Sequence, residues 1–196
     1  METGIIILAA GNSSRFGSPK QLLNYEGKTL LERVSLEALK TNHRPIIVVL
    51  GAYFKEIELK HNHLDITYIV NESWENGMSS SIVKGLSAML NLQKDIENIT
   101  IAVSDQVFIT AEIFESLMQK QISSKKCIIS SAYAKTTGTP TLFNKKYFEQ
   151  LLSLSGANGA KKILAENMSD MATISFDKGY VDIDTIDDYN NLINNK

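Results

Sequence analysis

Residues 9–20 combine small side chains, hydroxyls and two cations directly after an apolar run. Ile5–Leu8 predicts a buried strand, and Ala9–Gly11 end it with three small residues. Such residues let a ligand approach the backbone, and glycine permits turns that point successive N–H groups at an anion. Arg15 and Lys20 add full positive charge. The pattern indicates a loop that holds a polyphosphate; the alternative is an ordinary strand-to-helix connection with surface charges.

Neither of the two common phosphate-binding motifs is present. The Gly-Lys-Thr sequence at Gly27–Thr29 has Leu22 where a Walker A loop requires glycine. The glycines at positions 4, 11 and 17 do not fit G-x-G-x-x-G. If residues 9–20 bind phosphate, they do so through a loop that differs from both the Walker A loop and the G-x-G-x-x-G loop.

An acidic residue follows a second apolar run. Asp105 comes shortly after Ile99–Val103, which predicts a central strand. A carboxylate at the end of such a strand is costly without a partner, and Mg²⁺ binds through one or two carboxylates plus substrate phosphates. Asp105 is therefore a candidate metal ligand, with helix capping as the alternative.

A glycine followed by serines comes after a third apolar run. Gly77 precedes Ser79–Ser81, and the following residues have helical spacing. The serines can cap this helix and leave other N–H groups for a phosphate or a base edge; plain capping is the alternative. We expect Trp74 to pack this loop rather than to stack on a ligand.

Apolar runs alternate with segments of helical spacing, which indicates the fold class. Strands are predicted at 5–8, 45–51, 66–70, 99–103 and 128–132, with a turn into a further strand at 137–143. Helices are predicted at 29–39, 52–60, 78–90 and 111–121, with a glycine-rich loop that opens a helix at 156–164. This alternation predicts an α/β fold with βαβ units and a mainly parallel sheet. Ligands of such sheets bind outside the carboxyl ends of the strands. The loops after the first, third and fourth strands should therefore form one site.

Composition limits the classes of function. The chain has 196 residues, 43% hydrophobic and 21% charged, which predicts one domain spanning 1–196. A net charge of −2 gives no basic footprint for nucleic acid. The single cysteine, Cys127, excludes an internal disulfide and a cysteine-based metal site. No signal peptide or spanning segment stands out, so we expect a cytoplasmic protein without a membrane partner. His43, His61 and His63 lie in polar segments that we expect to be exposed.

The first loop also carries a family resemblance. Leu8–Lys20, LAAGNSSRFGSPK, resembles the L-A-A-G-x-S-x-R-F-G-x-x-K signature of the Rossmann-like nucleotidyltransferases related to sugar-nucleotide pyrophosphorylases. Within these, it is most similar to the molybdenum-cofactor cytidylyltransferase type. The resemblance implies a three-layer α/β/α fold with a mostly parallel mixed sheet. It also implies Mg²⁺-dependent transfer of CMP from CTP to a phosphorylated acceptor, here the molybdenum cofactor, with release of pyrophosphate.

The resemblance assigns roles to single residues. Arg15 and Lys20 would act on the phosphates as catalytic residues, and Asp105 would bind the metal. Asn71 and Ser81 would contact the base or the ribose. The full set of implied nucleotide-binding positions is Leu8, Ala9, Ala10, Gly11, Ser14, Gly17, Asn71, Gly77 and Ser81.

An acidic segment near the C-terminus resembles the D-I-D-T-P-x-D-L segment of the same family. Asp182 and Asp184 are two positions apart, which places both on one face of a predicted strand. We expect Asp184, at the exit of this strand, to be the second metal ligand opposite Asp105. Asp187 and Asp188 suit the first turn of a helix. The alternative is that all these acids are caps or face solvent.

The acceptor half of the pattern departs from the family. Thr137 stands where the family often has arginine, and Ala157 stands where it usually has aspartate. Two other interpretations therefore stay open. One is transfer to a sugar phosphate or an isoprenoid-precursor phosphate. The other is a non-catalytic accessory protein that hands the cofactor to a molybdoenzyme.

Overall fold

The computed structural model describes residues 2–14 and 16–194. The strands in this part of the chain are β1 (Thr3–Ala9), β2 (Asn24–Tyr25), β3 (Lys28–Thr29), β4 (Ile46–Leu50), β5 (Thr67–Val70), β6 (Asn98–Val103), β7 (Ile128–Tyr133), β8 (Thr136–Asn144) and β9 (Met171–Ser175). The α-helices are α1 (Leu30–Leu39), α2 (Phe54–His61), α3 (Met78–Leu92), α4 (Ala111–Ser124), α5 (Phe148–Leu152), α6 (Lys161–Glu166) and α7 (Ile186–Asn194).

Seven of these strands form one mixed sheet. Its order is β5-β4-β1-β6-β8-β7-β9. Strand β8 runs antiparallel to its neighbours β6 and β7, and the other pairs are parallel. The predicted mostly parallel sheet is therefore confirmed. The carboxyl ends of β1, β4, β5 and β6 lie along the same edge.

Helices cover both faces of this sheet. Side chains alternate along β1, where Ile5 and Ile7 pack with α1, α2 and α4 in one buried cluster. Ile6 and Leu8 pack on the opposite face with α3, α5 and α6. Each of these four side chains is at most 7% exposed. The three-layer α/β/α arrangement is thus confirmed, and β1 is its central element.

The predicted strand around Asp182 and Asp184 is wrong, because this segment is irregular. The N–H groups of Asp184 and Thr185 donate to the carboxylate of Asp188, at 3.2 and 2.7 Å, rather than to a neighbouring strand. These bonds begin α7, whose first turn contains Asp187 and Asp188 as expected. The Asp188 carboxylate therefore accepts hydrogen bonds from the backbone N–H groups that would have donated to a neighbouring strand.

A small apolar cluster supports the end of the sheet where these acids lie. Ile183, fully buried, packs with Val107, Tyr25, Leu30 and Leu192. Val107 is two residues after Asp105, and Ile183 directly precedes Asp184. The cluster therefore fixes two segments that are far apart in the chain beside one another.

Within the described residues, none of the helices combines the length and the apolar character needed to cross a bilayer.

The expectation that the histidines are exposed is wrong for two of them. His61 is 1% exposed and His43 is 8% exposed. The ring of His61 lies 2.8 Å from the Ile57 carbonyl oxygen at Nδ1 and 2.7 Å from the Thr29 hydroxyl at Nε2. These partners fit a neutral ring, with Nδ1–H donating and Nε2 accepting. Burial lowers the pKa of both buried histidines, and the bond to Ile57 opposes this for His61 only in part.

We therefore expect the free energy of unfolding to fall as the solution is acidified. The unfolded chain protonates its histidines near pH 6.5, whereas the folded chain does so only at lower pH. Stability is then complete above that pH and declines below it, by at most about 1.4 kcal/mol per pH unit for each histidine. Urea unfolding between about pH 7.5 and 5.5 measures this slope. His61→Gln should make this slope shallower without abolishing it, because His43 still contributes; an unchanged slope in His61→Gln would contradict the prediction.

Candidate active site

One cavity opens at the carboxyl ends of β1 and β6. Its volume is about 480 Å³. The residues that line it come from the ends of β1 and β6 and the loops after them, the start of α3 and the turn before it, the loop before α6 and the segment before α7. They are Leu8, Ala9, Ala10, Gly11, Asn12, Lys20, Gln21, Trp74, Glu75, Gly77, Met78, Ser81, Val103, Ser104, Asp105, Ala157 and Asp184. The structure thus brings together most of the residues that the sequence singled out.

Lys20 lies between the two carboxylates proposed as metal ligands. Its ammonium donates to Asp105 Oδ2 at 2.6 Å and to Asp184 Oδ1 at 2.8 Å. Burial would lower the pKa of Lys20, but the charges and hydrogen bonds of Asp105 and then Asp184 outweigh this and raise it. The side chain, 14% exposed, is therefore a cation at neutral pH.

The two carboxylates have the chemistry of a magnesium site. Their nearer oxygens both reach one ammonium, so a single small cation fits between them. Their side chains are 18% and 45% exposed, which leaves room for other ligands. Among the described residues, no group of three or more His, Cys, Asp or Glu side chains is placed to hold an ion. Two carboxylates completed by phosphates and water are the set that Mg²⁺ prefers.

Asp182 does not line the cavity of this pair, although its charge interacts with both carboxylates and with Lys20, and burial followed by these two acids raises its pKa. It lines a different cavity, with Tyr25, Phe108 and Lys178. The structure therefore places Asp184, and not Asp182, on the cavity that contains Asp105. The preference for Asp184 agrees with this placement, although the strand that motivated it does not form.

A buried carboxamide links the loop that carries Asp105 to the segment that leads to Asp184. Gln106, 3% exposed, donates from Nε2 to the Gly179 carbonyl oxygen at 2.7 Å. The same nitrogen lies 3.4 Å from the Tyr133 hydroxyl. The loop after β6 is thereby tied to the segment that leads to Asp184. No local sequence pattern predicts this bond, because its partners are 73 positions apart.

The start of α3 is held by neighbouring loops. Asn71, 3% exposed, donates to Ser80 Oγ at 2.8 Å and to Ser81 Oγ at 3.0 Å. The Ser79 N–H donates to the Gly156 carbonyl oxygen, and the Ser80 N–H donates to Gly77. These two N–H groups are therefore engaged within the protein and are not available to a ligand. Gly77 and Ser81 line the cavity of about 480 Å³, whereas Asn71, Ser79 and Ser80 do not.

Some predicted positions in the first loop lie away from the cavity lining. The Ser14 N–H donates to Asn12 Oδ1 at 3.2 Å, and the Gly17 N–H donates to the Ser13 carbonyl oxygen at 3.2 Å. Both residues are exposed and shape the turn. Arg15, predicted to be catalytic, lies outside the described residues.

Gln21 is a buried residue of the site that the sequence interpretation missed. Its Nε2 donates to the carbonyl oxygens of Ala9 and Gly11, at 2.9 and 3.0 Å. Glutamine beside a predicted catalytic lysine has no distinctive pattern, so only the folded loop reveals the contact.

A second cavity of about 280 Å³ adjoins the first through Met78 and Val103, which line both. Thr137 lies in its wall, together with three other threonines of β8 and Lys161. Ala157, the other departure from the family pattern, lies in the first cavity. Each of the two unusual positions therefore lines one of these two adjoining cavities.

A family comparison agrees with this arrangement. Residues 5–171 match the model of the MobA-like NTP transferase domain. The chain belongs to this family. As a MobA-like NTP transferase, it is an enzyme of the nucleotidyltransferase type.

Individual relatives align over nearly the whole MobA-like chain. The nicotine blue oxidoreductase of Paenarthrobacter nicotinovorans is 26% identical over 200 residues, covering 96% of this chain and 95% of its own. The molybdenum cofactor cytidylyltransferase of Escherichia coli strain K12 is 27% identical over 187 residues, covering 94% and 92%. The crystal structure of the Rv0371c homologue from Mycobacterium sp. strain JC1 has a TM-score of 0.84 and 28% identity, covering 98% and 96%.

Gly51, which follows β4 and faces Ala10, and Gly11, in the first loop, should respond differently to substitution by alanine. A Cβ at Gly51 would lie 2.3 Å from the Ala10 carbonyl oxygen and 2.9 Å from Trp74 Cβ, so Gly51→Ala overpacks the site. We expect a loss of about 1–3 kcal/mol of stability. A Cβ at Gly11 would meet no atom within 4 Å, so Gly11→Ala should keep the stability of the wild type but obstruct close approach of a ligand. Thermal unfolding and CTP titration separate the two effects; a destabilised Gly11→Ala variant would contradict this account.

Proposed function

We propose that this MobA-like enzyme transfers CMP from CTP to a phosphorylated acceptor, with Mg²⁺ held by Asp105 and Asp184. The observation that carries the proposal is the position of Lys20, whose ammonium lies between these carboxylates in the wall of a cavity formed by small residues. The ammonium of Lys20 suits the phosphates of a nucleoside triphosphate, and the two carboxylates suit the Mg²⁺ that accompanies them. The same contacts favour phosphate transfer over a redox reaction of the kind that the name of the nicotine blue oxidoreductase implies.

In the proposed reaction, a phosphate oxygen of the acceptor attacks the α-phosphorus of the nucleotide. The bond from that phosphorus to the bridging oxygen breaks, and pyrophosphate leaves. Such chemistry requires positioning and charge neutralisation more than a protein nucleophile. The chain supplies both through residues that it holds in place by hydrogen bonds and burial.

Each group of the cavity has a role in this scheme. Ala9–Gly11 offer a close approach to the backbone, and Arg15 would hold the outer phosphates. Lys20 would turn from the carboxylates to the α-phosphate and stabilise the charge that builds there. Ser81 lies where the base or ribose would contact α3. Mg²⁺, when bound, would neutralise charge on the phosphate oxygens.

The second cavity is the proposed acceptor side. It adjoins the nucleotide cavity, and Lys161 gives it a cation for an anionic group. The molybdenum cofactor is our first choice of acceptor, because the relative from Escherichia coli bears that activity in its name and aligns over 94% of this chain. A sugar phosphate or an isoprenoid-precursor phosphate is the alternative, favoured if Thr137 and Ala157 have changed the acceptor. A non-catalytic accessory protein that serves a molybdoenzyme is the remaining alternative.

Pyrophosphate release tests the reaction. The protein is incubated with Mg²⁺, molybdenum cofactor and each of CTP, GTP, UTP and ATP, and pyrophosphate is measured over time. We expect release with CTP, dependent on the cofactor and abolished by EDTA. Release with GTP alone would overturn the choice of base, and the absence of release with any nucleotide would overturn transfer to this acceptor.

A further inference from the structure

We propose that Gln21 is a positioning residue that sets the orientation of the phosphate loop, an inference that rests on the proposed nucleotide-binding function. Gln21 is 1% exposed and lines the cavity directly beside Lys20. Within the described residues, its side chain is hydrogen-bonded to Ala9 at the end of β1 and to Gly11 and Ser13 in the loop that follows. No part of the scheme above uses it.

The amide nitrogen of Gln21 holds two carbonyl groups at once. Nε2 donates to the Ala9 oxygen at 2.9 Å and to the Gly11 oxygen at 3.0 Å. In a trans peptide the C=O and the following N–H point in opposite directions. Fixing these two carbonyls on Gln21 therefore directs the N–H groups of Ala10 and Asn12 away from it. Ala10 and Asn12 both line the cavity, so this orientation suits an anion.

The other end of the amide reaches the segment that carries Lys20. The Ser13 hydroxyl donates to Gln21 Oε1 at 3.4 Å, and the same hydroxyl oxygen accepts the Lys20 N–H at 3.0 Å. Gln21 thus joins the start of the loop to the backbone of the lysine at its end. Through Ser13, one side chain therefore links the loop carbonyl groups to the backbone from which the Lys20 side chain extends.

This geometry requires an amide. Glutamate would place a carboxylate oxygen against two carbonyl oxygens, with no proton to share between them. Methionine, of similar length, would leave both carbonyls without this donor in a buried place. In either variant, the carbonyl oxygens of Ala9 and Gly11 are free to turn toward the bound phosphates. Their partial negative charge would then repel the nucleotide.

The test compares Gln21→Met and Gln21→Glu with a matched buried glutamine. Gln121 is 6% exposed and donates to Asn98 Oδ1 at 2.7 Å, in a polar network outside the cavity. For each variant, CTP affinity is measured by calorimetry with Mg²⁺, kcat and KM are measured by pyrophosphate release, and stability is measured by thermal unfolding.

We expect Gln21→Met to raise the Kd and the KM for CTP by about tenfold or more, with a smaller loss in kcat, and Gln21→Glu to raise them further. Gln121→Met should lower stability without changing either constant. If wild type binds CTP and Gln21→Met binds it equally well, or loses no more affinity than Gln121→Met, the role of Gln21 is overturned while the proposed function stands. If wild type binds none of the four nucleotides, the proposed function itself is overturned and this inference with it.

Discussion

Replacing Lys20 with alanine is expected to lower turnover by at least about 10²-fold, the order lost with one transition-state contact. The substitution removes the cation assigned to the α-phosphate. It also leaves the carboxylates of Asp105 and Asp184, now 2.6 and 2.8 Å from the ammonium, facing one another without it. Steady-state pyrophosphate release under saturating CTP measures the loss.

The control for this variant is a lysine that also pairs with an aspartate but lies outside the nucleotide cavity. Lys146 donates to Asp170 at 2.7 Å, and neither residue lines the nucleotide cavity. Lys146→Ala should therefore keep the turnover of the wild type. Near-normal turnover in Lys20→Ala, or an equal loss in both variants, would remove Lys20 from the catalytic role.

Replacing Asp105 with alanine is the second change expected to lower turnover by at least about 10²-fold. One of the two carboxylates that converge on Lys20 is lost, so the proposed metal keeps only Asp184 as a protein ligand. Raising the Mg²⁺ concentration should restore part of the activity, because a weakened site is still filled by mass action. Turnover as a function of Mg²⁺ measures both effects.

Asp182 is the matched acid for that experiment. It is exposed and lines the cavity with Phe108 and Lys178 rather than the one with Asp105. Asp182→Ala should lower turnover far less than Asp105→Ala, because the Asp182 carboxylate acts on the pair only through its charge. A loss in Asp182→Ala equal to that in Asp105→Ala would contradict the assignment of the metal to Asp105 and Asp184.

The elements that carry the site were predictable from local pattern. Buried strands such as β1 and β6 are continuous apolar runs, and loops at the carboxyl ends of parallel strands meet at one edge. That rule alone predicts that Ala9–Gly11 and Asp105 lie close together. The cations after β1 pointed to Lys20, the family resemblance added Asp184, and the structure places both residues on the same cavity.

The contacts that position these residues were not predictable in the same way. The bonds from Gln21 to the loop and from Gln106 to Gly179 depend on segments that meet only in the folded chain. The predicted strand at Asp184 failed because the Asp188 carboxylate caps that backbone. The burial of His61 was missed because its neighbours in sequence are polar, while its partner Thr29 is 32 positions away.

Thermal unfolding with nucleotide tests most directly whether this cavity is a nucleotide site. Wild type and Asp105→Asn are unfolded with Mg²⁺ and each of CTP, GTP, UTP and ATP. A ligand at a hundred times its Kd adds about 2.7 kcal/mol, which raises the Tm of a chain of this size by roughly 5–10 °C. The account predicts such a rise with CTP and a smaller rise in Asp105→Asn. No rise with any of the four nucleotides, or an equal rise in both proteins, would contradict it.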